Sequence, residues 1–199
     1  MKKFIPNNIS EEDAKIILTN IPTLNNNYKF NNLNLKDFSQ ATGPLVKVFT
    51  AIIGFINEHS SEKYLIKNNK DGIFMSGPTI AEGEAYFRVE QGTPSKYMHK
   101  WHVDTGDTKQ MMWCKYGTST LLSHPSSFKG AELEYCLCDI PCRQQMSTGR
   151  CDNNEVVSKE THYLGTGIHD SSTLHRLRCG RDSTDKVREG DRCTLLLFV

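Results

Sequence analysis

No run in this sequence approaches the roughly 20 apolar residues of a membrane-crossing helix, so no membrane span is expected. There is no excess of charge either. Lys and Arg number 24 against 23 Asp and Glu, for a formal net charge of +1. Duplex-binding proteins usually carry a basic face, so nucleic acid is not the expected partner. Two lysines near the start are followed by no apolar stretch, and no secretory signal is expected. Internal repeats and long linkers are also lacking. The apolar share is a low 37%, partly because the first third is rich in Asn and Lys. The length of 199 residues suits one domain able to bury a core. Cysteine is not scarce. There are seven: Cys114, Cys136, Cys138, Cys142, Cys151, Cys179 and Cys193. An odd count without a signal favours reduced thiols and a cytoplasmic setting. The run Cys136-x-Cys138-x3-Cys142, with Cys151 after it, lacks the paired two-residue spacing of structural zinc sites. Free thiols are the expectation, with an accessory zinc or redox site as the alternative.

Secondary-structure signals divide the chain into helical support over 1–60 and a strand-rich core over 61–199. Residues 1–9 are polar and read as a frayed start. Ser10 reads as an N-cap for a short helix running to about Asn20, with Glu11, Glu12 and Asp13 suiting the positive end of its dipole. The Asn-rich stretch 22–43 reads as loop. Pro44 suits a first helical position. After it Leu45, Val48, Phe49, Ile52, Ile53 and Ile56 recur at helical spacing, the pattern of a helix covering one face of a sheet. From Lys63 onward the runs are short and broken by Gly, Pro, Asn and Asp. The predicted strands are 64–66, 73–75, 85–89, 97–103, 111–116, 119–122, 131–137, 156–159 and 194–199. Such spacing argues a sandwich or barrel. The polar, Cys-rich stretch 139–162 reads as a long loop or hairpin insertion.

The chemistry begins at Trp101-His102-Val103-Asp104-Thr105-Gly106. On extended chain, residues two apart share a face, so His102 and Asp104 project together. An imidazole beside a carboxylate is half of a divalent-metal site. A distant second histidine would complete a 2-His-1-carboxylate triad, which leaves one face of an octahedral Fe(II) open. Of the other histidines, His59, His124 and His162 lie in turn-like contexts and read as surface residues. His99 would face away from His102. His175 opens an alternating Arg/Leu run and is assigned as the third ligand. His169, in a Gly/Asp/Ser-rich turn, is the fallback. Further on, Arg192-Cys193-Thr194 puts a guanidinium and a hydroxyl on one strand face. That pair suits a carboxylate, by a charge-assisted bond plus one O–H bond.

In this order, His102-x-Asp104, His175 and Arg192-x-Thr194 resemble the Fe(II)/2-oxoglutarate-dependent dioxygenases. The run 120–133, with Lys129-Gly130-Ala131-Glu132-Leu133, resembles the Gly-Gly-Glu-Leu strand-turn-strand of the prolyl 4-hydroxylase-like branch. Residues 171–177 resemble that branch's distal-histidine segment. The resemblance spans about 85–199. Two departures stand out: Ala131 occupies the second glycine position, and the interval from His175 to Arg192 is long, which makes Arg181 and Arg188 rival anchors. The resemblance implies a mainly β fold with N-terminal supporting helices, a double-stranded β-helix (jelly roll, cupin-like). It implies His102, Asp104 and His175 as Fe(II) ligands, and 2-oxoglutarate as co-substrate held by Arg192, Thr194 and Tyr97. With O2, the implied reaction hydroxylates a substrate C–H bond and releases succinate and CO2. Asp104 argues against a halogenase, which in this family lacks that carboxylate. The implied substrate is a peptidyl, prolyl-like or amino-acid side chain, with small metabolites open. Stretches 139–162 and 23–43 are candidate lids, and Trp101 and Trp113 would pack in the core or line the substrate mouth. The alternatives are a non-catalytic metal-binding β-barrel acting as an interaction module, and an oxygenase of nucleic-acid bases.

Overall fold

The structure is a computed structural model and describes residues 2–20, 29–32, 42–69, 72–76, 86–92, 101–104, 114–128, 132–138, 153–178 and 192–199. Two N-terminal helices form where the sequence places them. Helix α1 spans Glu11–Asn20 and α2 spans Thr42–His59. Ser10 Oγ accepts the Asp13 backbone N–H at 3.0 Å, satisfying one of the donors a helix start leaves orphaned. On α2, Leu45, Val48, Phe49, Ile52, Ile53 and Ile56 are all buried. Each contributes about 1.5–3 kcal/mol by leaving water.

The remaining elements are mainly antiparallel strands: β1 (Lys2–Ile5), β2 (Lys29–Asn32), β3 (Leu65–Asn69), β4 (Gly72–Ser76), β5 (Tyr86–Gly92), β6 (Tyr116–Leu121), β7 (Glu132–Cys136), β8 (Asn154–Val157), β9 (Thr166–Asp170), β10 (His175–Arg178) and β11 (Arg192–Phe198). A six-stranded sheet has the order β1-β9-β6-β11-β5-β2, a three-stranded sheet the order β10-β7-β8, and β3 pairs with β4. Among the described residues, each pairing between these strands is antiparallel.

The six-stranded sheet has two unlike faces. Ile168, Cys193, Leu195, Leu197 and Val199 join Ile17 and the apolar stripe of α2 in one buried cluster. Residues one position away point to the opposite side, toward the three-stranded sheet. There Gly167 meets Tyr135 of β7, and Gly117 of β6 meets Asp104 and His169. The architecture is therefore helices, large sheet, small sheet, with the polar groups gathered between the sheets. This is the expected jelly-roll arrangement of a mainly β chain with supporting helices.

The structure corrects several local expectations. Residues 2–5 are not frayed: they form β1 along the edge of β9, with Lys2 opposite His169. The stretch 22–43 contains β2, which pairs with β5. The strand expected at 156–159 ends at Val157, and Lys159–His162 is a single helical turn capped by the Ser158 side chain. Strand β9 had no sequence signal. Gly167 reads as a turn residue, yet it and Gly165, just before the strand, stand where neighbouring groups press on the backbone. A Cβ at Gly167 would lie 2.7 Å from Tyr135 Oη, and one at Gly165 would lie 3.1 Å from the Ile5 carbonyl oxygen. Of the expected strand 97–103, residues 97–100 lie outside the described residues. Residues 101–104 join the small sheet by a single bridge at His102. The expected 111–116 strand is described only from Cys114, and β6 begins at Tyr116.

Candidate metal centre

The segment 101–104 lies along β10. His102 donates its backbone N–H to the His175 carbonyl at 3.0 Å, and His175 returns the bond at 3.0 Å. Residues paired this way stand directly opposite with side chains on one face. Their imidazole centroids are 4.3 Å apart. Asp104 N–H donates to the Ser171 carbonyl at 2.9 Å, which continues the alignment two residues on and returns the carboxylate to the same side. One ligand atom from each of His102, Asp104 and His175 lies within 4.8 Å of the others. The three residues read from the sequence are thus brought together.

Their protonation suits a cation. His175 Nδ1 lies 2.9 Å from the Thr173 carbonyl, which can only accept, so Nδ1 carries the proton and Nε2 keeps its lone pair. Burial, and then the neighbouring His169, bring the His175 pKa down to about 3. Burial pushes the Asp104 carboxyl up, but the His169 hydrogen bond and the surrounding imidazoles outweigh it and hold the group at about 2. Near neutral pH the site therefore offers a neutral imidazole and a carboxylate, the forms that bind metal. The donor set is the two-imidazole, one-carboxylate kind that suits Fe(II).

His169 is also here. The sequence places it in a turn; the structure places it on β9, buried, with Nε2 2.9 Å from Asp104 Oδ2. Tyr135 Oη lies 3.5 Å from the other nitrogen, His169 Nδ1. Burial, and then the Asp104 charge, raise the Tyr135 phenol, so it stays protonated. The same two causes push the Cys114 thiol up to about 12.

Arg192 and Thr194 begin β11 on the face turned away from the helices. Arg192 is 2% exposed and Thr194 fully buried, and Arg192 Nη1 donates to Thr194 Oγ1. Thr194 is the register partner of Leu121 on β6, whose alternation also carries Gly117 to the metal side. A buried guanidinium and hydroxyl thus share the intersheet face with the candidate ligands His102, Asp104 and His175. His162, expected at the surface, is instead buried at 1% exposure and its Nε2 donates to the Ser119 carbonyl at 2.8 Å. Burial, and then the charge of Arg192, lower its pKa to about 4. The sequence carried no sign of this neighbour, because a Thr-His-Tyr turn looks the same buried or exposed. His59 and His124 are exposed, as expected. Tyr97, His99, Trp113, the rival anchors Arg181 and Arg188, and the residues 129–131 of the Gly-Gly-Glu-Leu-like motif lie outside the described residues.

On the outer face of the small sheet, Arg176 Nε donates to Glu134 Oε2 at 2.6 Å and its guanidinium stacks 4.5 Å over the Trp101 ring. Arg176 and Glu134 are register partners, so this ion pair holds β10 in the register that turns His175 inward. Trp101 packs with Cys136 and Leu174. Cys114 is a buried free thiol; Cys136 and Cys193 are buried and Cys138 half-buried, and Cys142, Cys151 and Cys179 lie outside the described residues.

No family model matches the sequence, and no curated protein matches it. Solved structures do. The chain is similar to a viral collagen prolyl hydroxylase from Paramecium bursaria Chlorella virus-1, solved as a 2OG complex. That match has 10% identity over 99% of this chain and 93% of the other, with a TM-score of 0.57. It is similar to a prolyl hydroxylase from Trichoplax adhaerens, solved with a hypoxia inducible factor peptide fragment. There the identity is 11% over 99% of this chain and 82% of the other, with a TM-score of 0.59. Against a 2OG-Fe(II) oxygenase family protein from Burkholderia pseudomallei, the match has 13% identity, a TM-score of 0.40 and 83% coverage of this chain. The chain spans about half of that protein, 54%. At such identities likeness speaks for the fold alone, and this chain has the fold of those two prolyl hydroxylases.

Proposed function

We propose that the chain, read as one oxygenase domain over 1–199, is an Fe(II)- and 2-oxoglutarate-dependent dioxygenase that hydroxylates a C–H bond. The observation that supports this best is the convergence of His102, Asp104 and His175 on one point between the sheets, with ligand atoms within 4.8 Å of one another. In this reading those three residues hold iron from one side. When bound, iron supplies O2 activation coupled to the decarboxylation of 2-oxoglutarate to succinate and CO2. The chain's own residues do the rest. The Thr173 carbonyl keeps the His175 Nε2 lone pair directed at the ion. Asp104 brings the negative charge that steadies a divalent cation. Arg192 and Thr194 anchor the far carboxylate of 2-oxoglutarate by a charge-assisted pair and a hydroxyl bond, and Tyr97 is assigned a third contact to it.

The substrate we favour is a peptidyl, prolyl-like or amino-acid side chain. Two proteins of the same fold support the choice: one is a collagen prolyl hydroxylase, and one is solved with a peptide fragment. We place the protein in the cytoplasm, the setting that an odd count of seven cysteines favours. Among the described residues no helix is long and apolar enough to cross a membrane.

The test begins with chelated protein reloaded anaerobically with Fe(II), because iron competes poorly with later divalent metals. Adding 2-oxoglutarate should produce a visible charge-transfer band, and admitting O2 should release succinate. Asp104→Ala should abolish both while the fold survives. Succinate release that persists in that variant would refute the proposal.

A further inference from the structure

A third imidazole touches the centre without joining its ligand set. The two oxygens of Asp104 face different histidines. Oδ1 lies 3.7 Å from His175 Nε2, on the side of the ligand cluster, while Oδ2 lies 2.9 Å from His169 Nε2. An ionised carboxylate only accepts, so the proton of this bond belongs to His169 Nε2. The lone pair of the same ring then falls on Nδ1, which faces the Tyr135 hydroxyl at 3.5 Å. The groups form a directed chain across the two sheets: Tyr135 O–H to His169 Nδ1, then His169 Nε2–H to Asp104 Oδ2.

Two glycines leave room for this chain. Gly117 is the register partner of His169 on β6. A Cβ there would fall onto Asp104 Oδ2 and 2.6 Å from His169 Nε2. Gly167, two residues before His169 on β9, would with a Cβ lie 2.7 Å from Tyr135 Oη. One side chain at either place would push the chain of groups apart. His169 is 3% exposed, so water does not compete for its bonds.

We infer that His169 is a positioning residue that restricts Asp104 to coordination through Oδ1. This rests on the metal centre proposed above. A carboxylate with both oxygens free can bind an ion through both and occupy an extra position, as it does around larger cations. With Oδ2 held by His169, one position is used and the open face keeps its room. The Tyr135 hydroxyl orients the imidazole so that Nε2, rather than Nδ1, carries the proton.

Co(II) alone, titrated into chelated protein without 2-oxoglutarate, is the probe. Wild-type protein should bind one equivalent and show the d–d absorption of its coordination geometry. His169→Phe keeps the ring volume and removes the donor. Affinity should fall roughly 10–100-fold, the usual cost of losing a partner behind a metal ligand, and the d–d spectrum should change as Asp104 takes up its second oxygen. His169→Gln, whose amide N–H reaches a carboxylate, should restore most of the affinity and the wild-type spectrum; a purely packing role would predict no such rescue. Where His169→Phe does not fold, Tyr135→Phe serves instead: it removes one oxygen from a buried ring and should weaken Co(II) several-fold. Wild-type affinity and spectrum in either folded variant overturn the inference and leave the metal centre standing. Wild-type protein that binds no Co(II) at all overturns both.

Discussion

Strand β11 shows one backbone serving two purposes. Cys193, Leu195, Leu197 and Val199 pack into the helix-covered core, while Arg192 and Thr194, on alternate positions, are buried on the other side. Strand β9 repeats the division, with Ile168 against the helices and Gly167 and His169 toward the small sheet. The helix face tolerates exchange among apolar side chains of similar volume, since burial depends on area and not on direction. The site face does not. Its hydrogen bonds have direction, and a Cβ added at Gly117 falls on Asp104. A register slip of one residue would exchange the two faces, so the core also fixes the site. The Arg176–Glu134 ion pair on the small sheet does the same for His175.

Substitutions on either face test how separate they are. The largest effect is expected from Leu197→Ala, at a fully buried position of the helix face. It should cost about 2–5 kcal/mol, read from denaturant midpoints, with Co(II) affinity unchanged while the protein stays folded. A co-loss of metal binding under folding conditions would show that the faces are coupled. Next comes Arg192→Met on the site face. Losing a charge-assisted bond costs about 1.5–3 kcal/mol, which should raise the 2-oxoglutarate requirement roughly 10–100-fold and leave Co(II) binding as it was. A third, smaller effect concerns pH. Folded His162 stays neutral down to about 4, from an ordinary 6.5. Between these values the unfolded chain binds more protons, so stability should fall as pH drops from 6.5 toward 4. His175 acts with the same sign down to about 3. His162→Gln should flatten part of this slope in denaturation measured from pH 7 to 4. The smallest effect is expected far from both faces. Gly54 lies on the exposed side of α2, and a Cβ there meets nothing within 4 Å. Gly54→Ala should stabilise by about 0.5–1 kcal/mol, seen as a raised Tm with no change in metal affinity.

Much of this was legible in the residues. Helix α2 follows its apolar stripe because a 3.6-residue period needs no distant partner to be visible. His102 and Asp104 share a face, and so do Arg192 and Thr194, because alternation is local. His175 opens β10 where the Arg/Leu alternation begins. Strands β1 and β9 were not legible. Lys2 and Lys3 carry no strand signal of their own, and β1 exists only because β9 supplies a partner. Gly167 in β9, of a residue type that marks turns elsewhere, makes room for Tyr135, and Gly165, just before the strand, for the edge strand. His169 was misplaced for the same reason, and His162 because nothing local reports burial.

The sequence by itself determined which side chains are candidates for the site, and that His102 and Asp104, like Arg192 and Thr194, share a strand face, because both follow from residue type and short-range periodicity. Only the tertiary structure decided that Asp104 would meet His169, 65 residues away, and that His175 would stand opposite His102. Those meetings depend on strand register and on how closely two sheets approach. Both are set by packing over the whole molecule, and no short window of residues contains them.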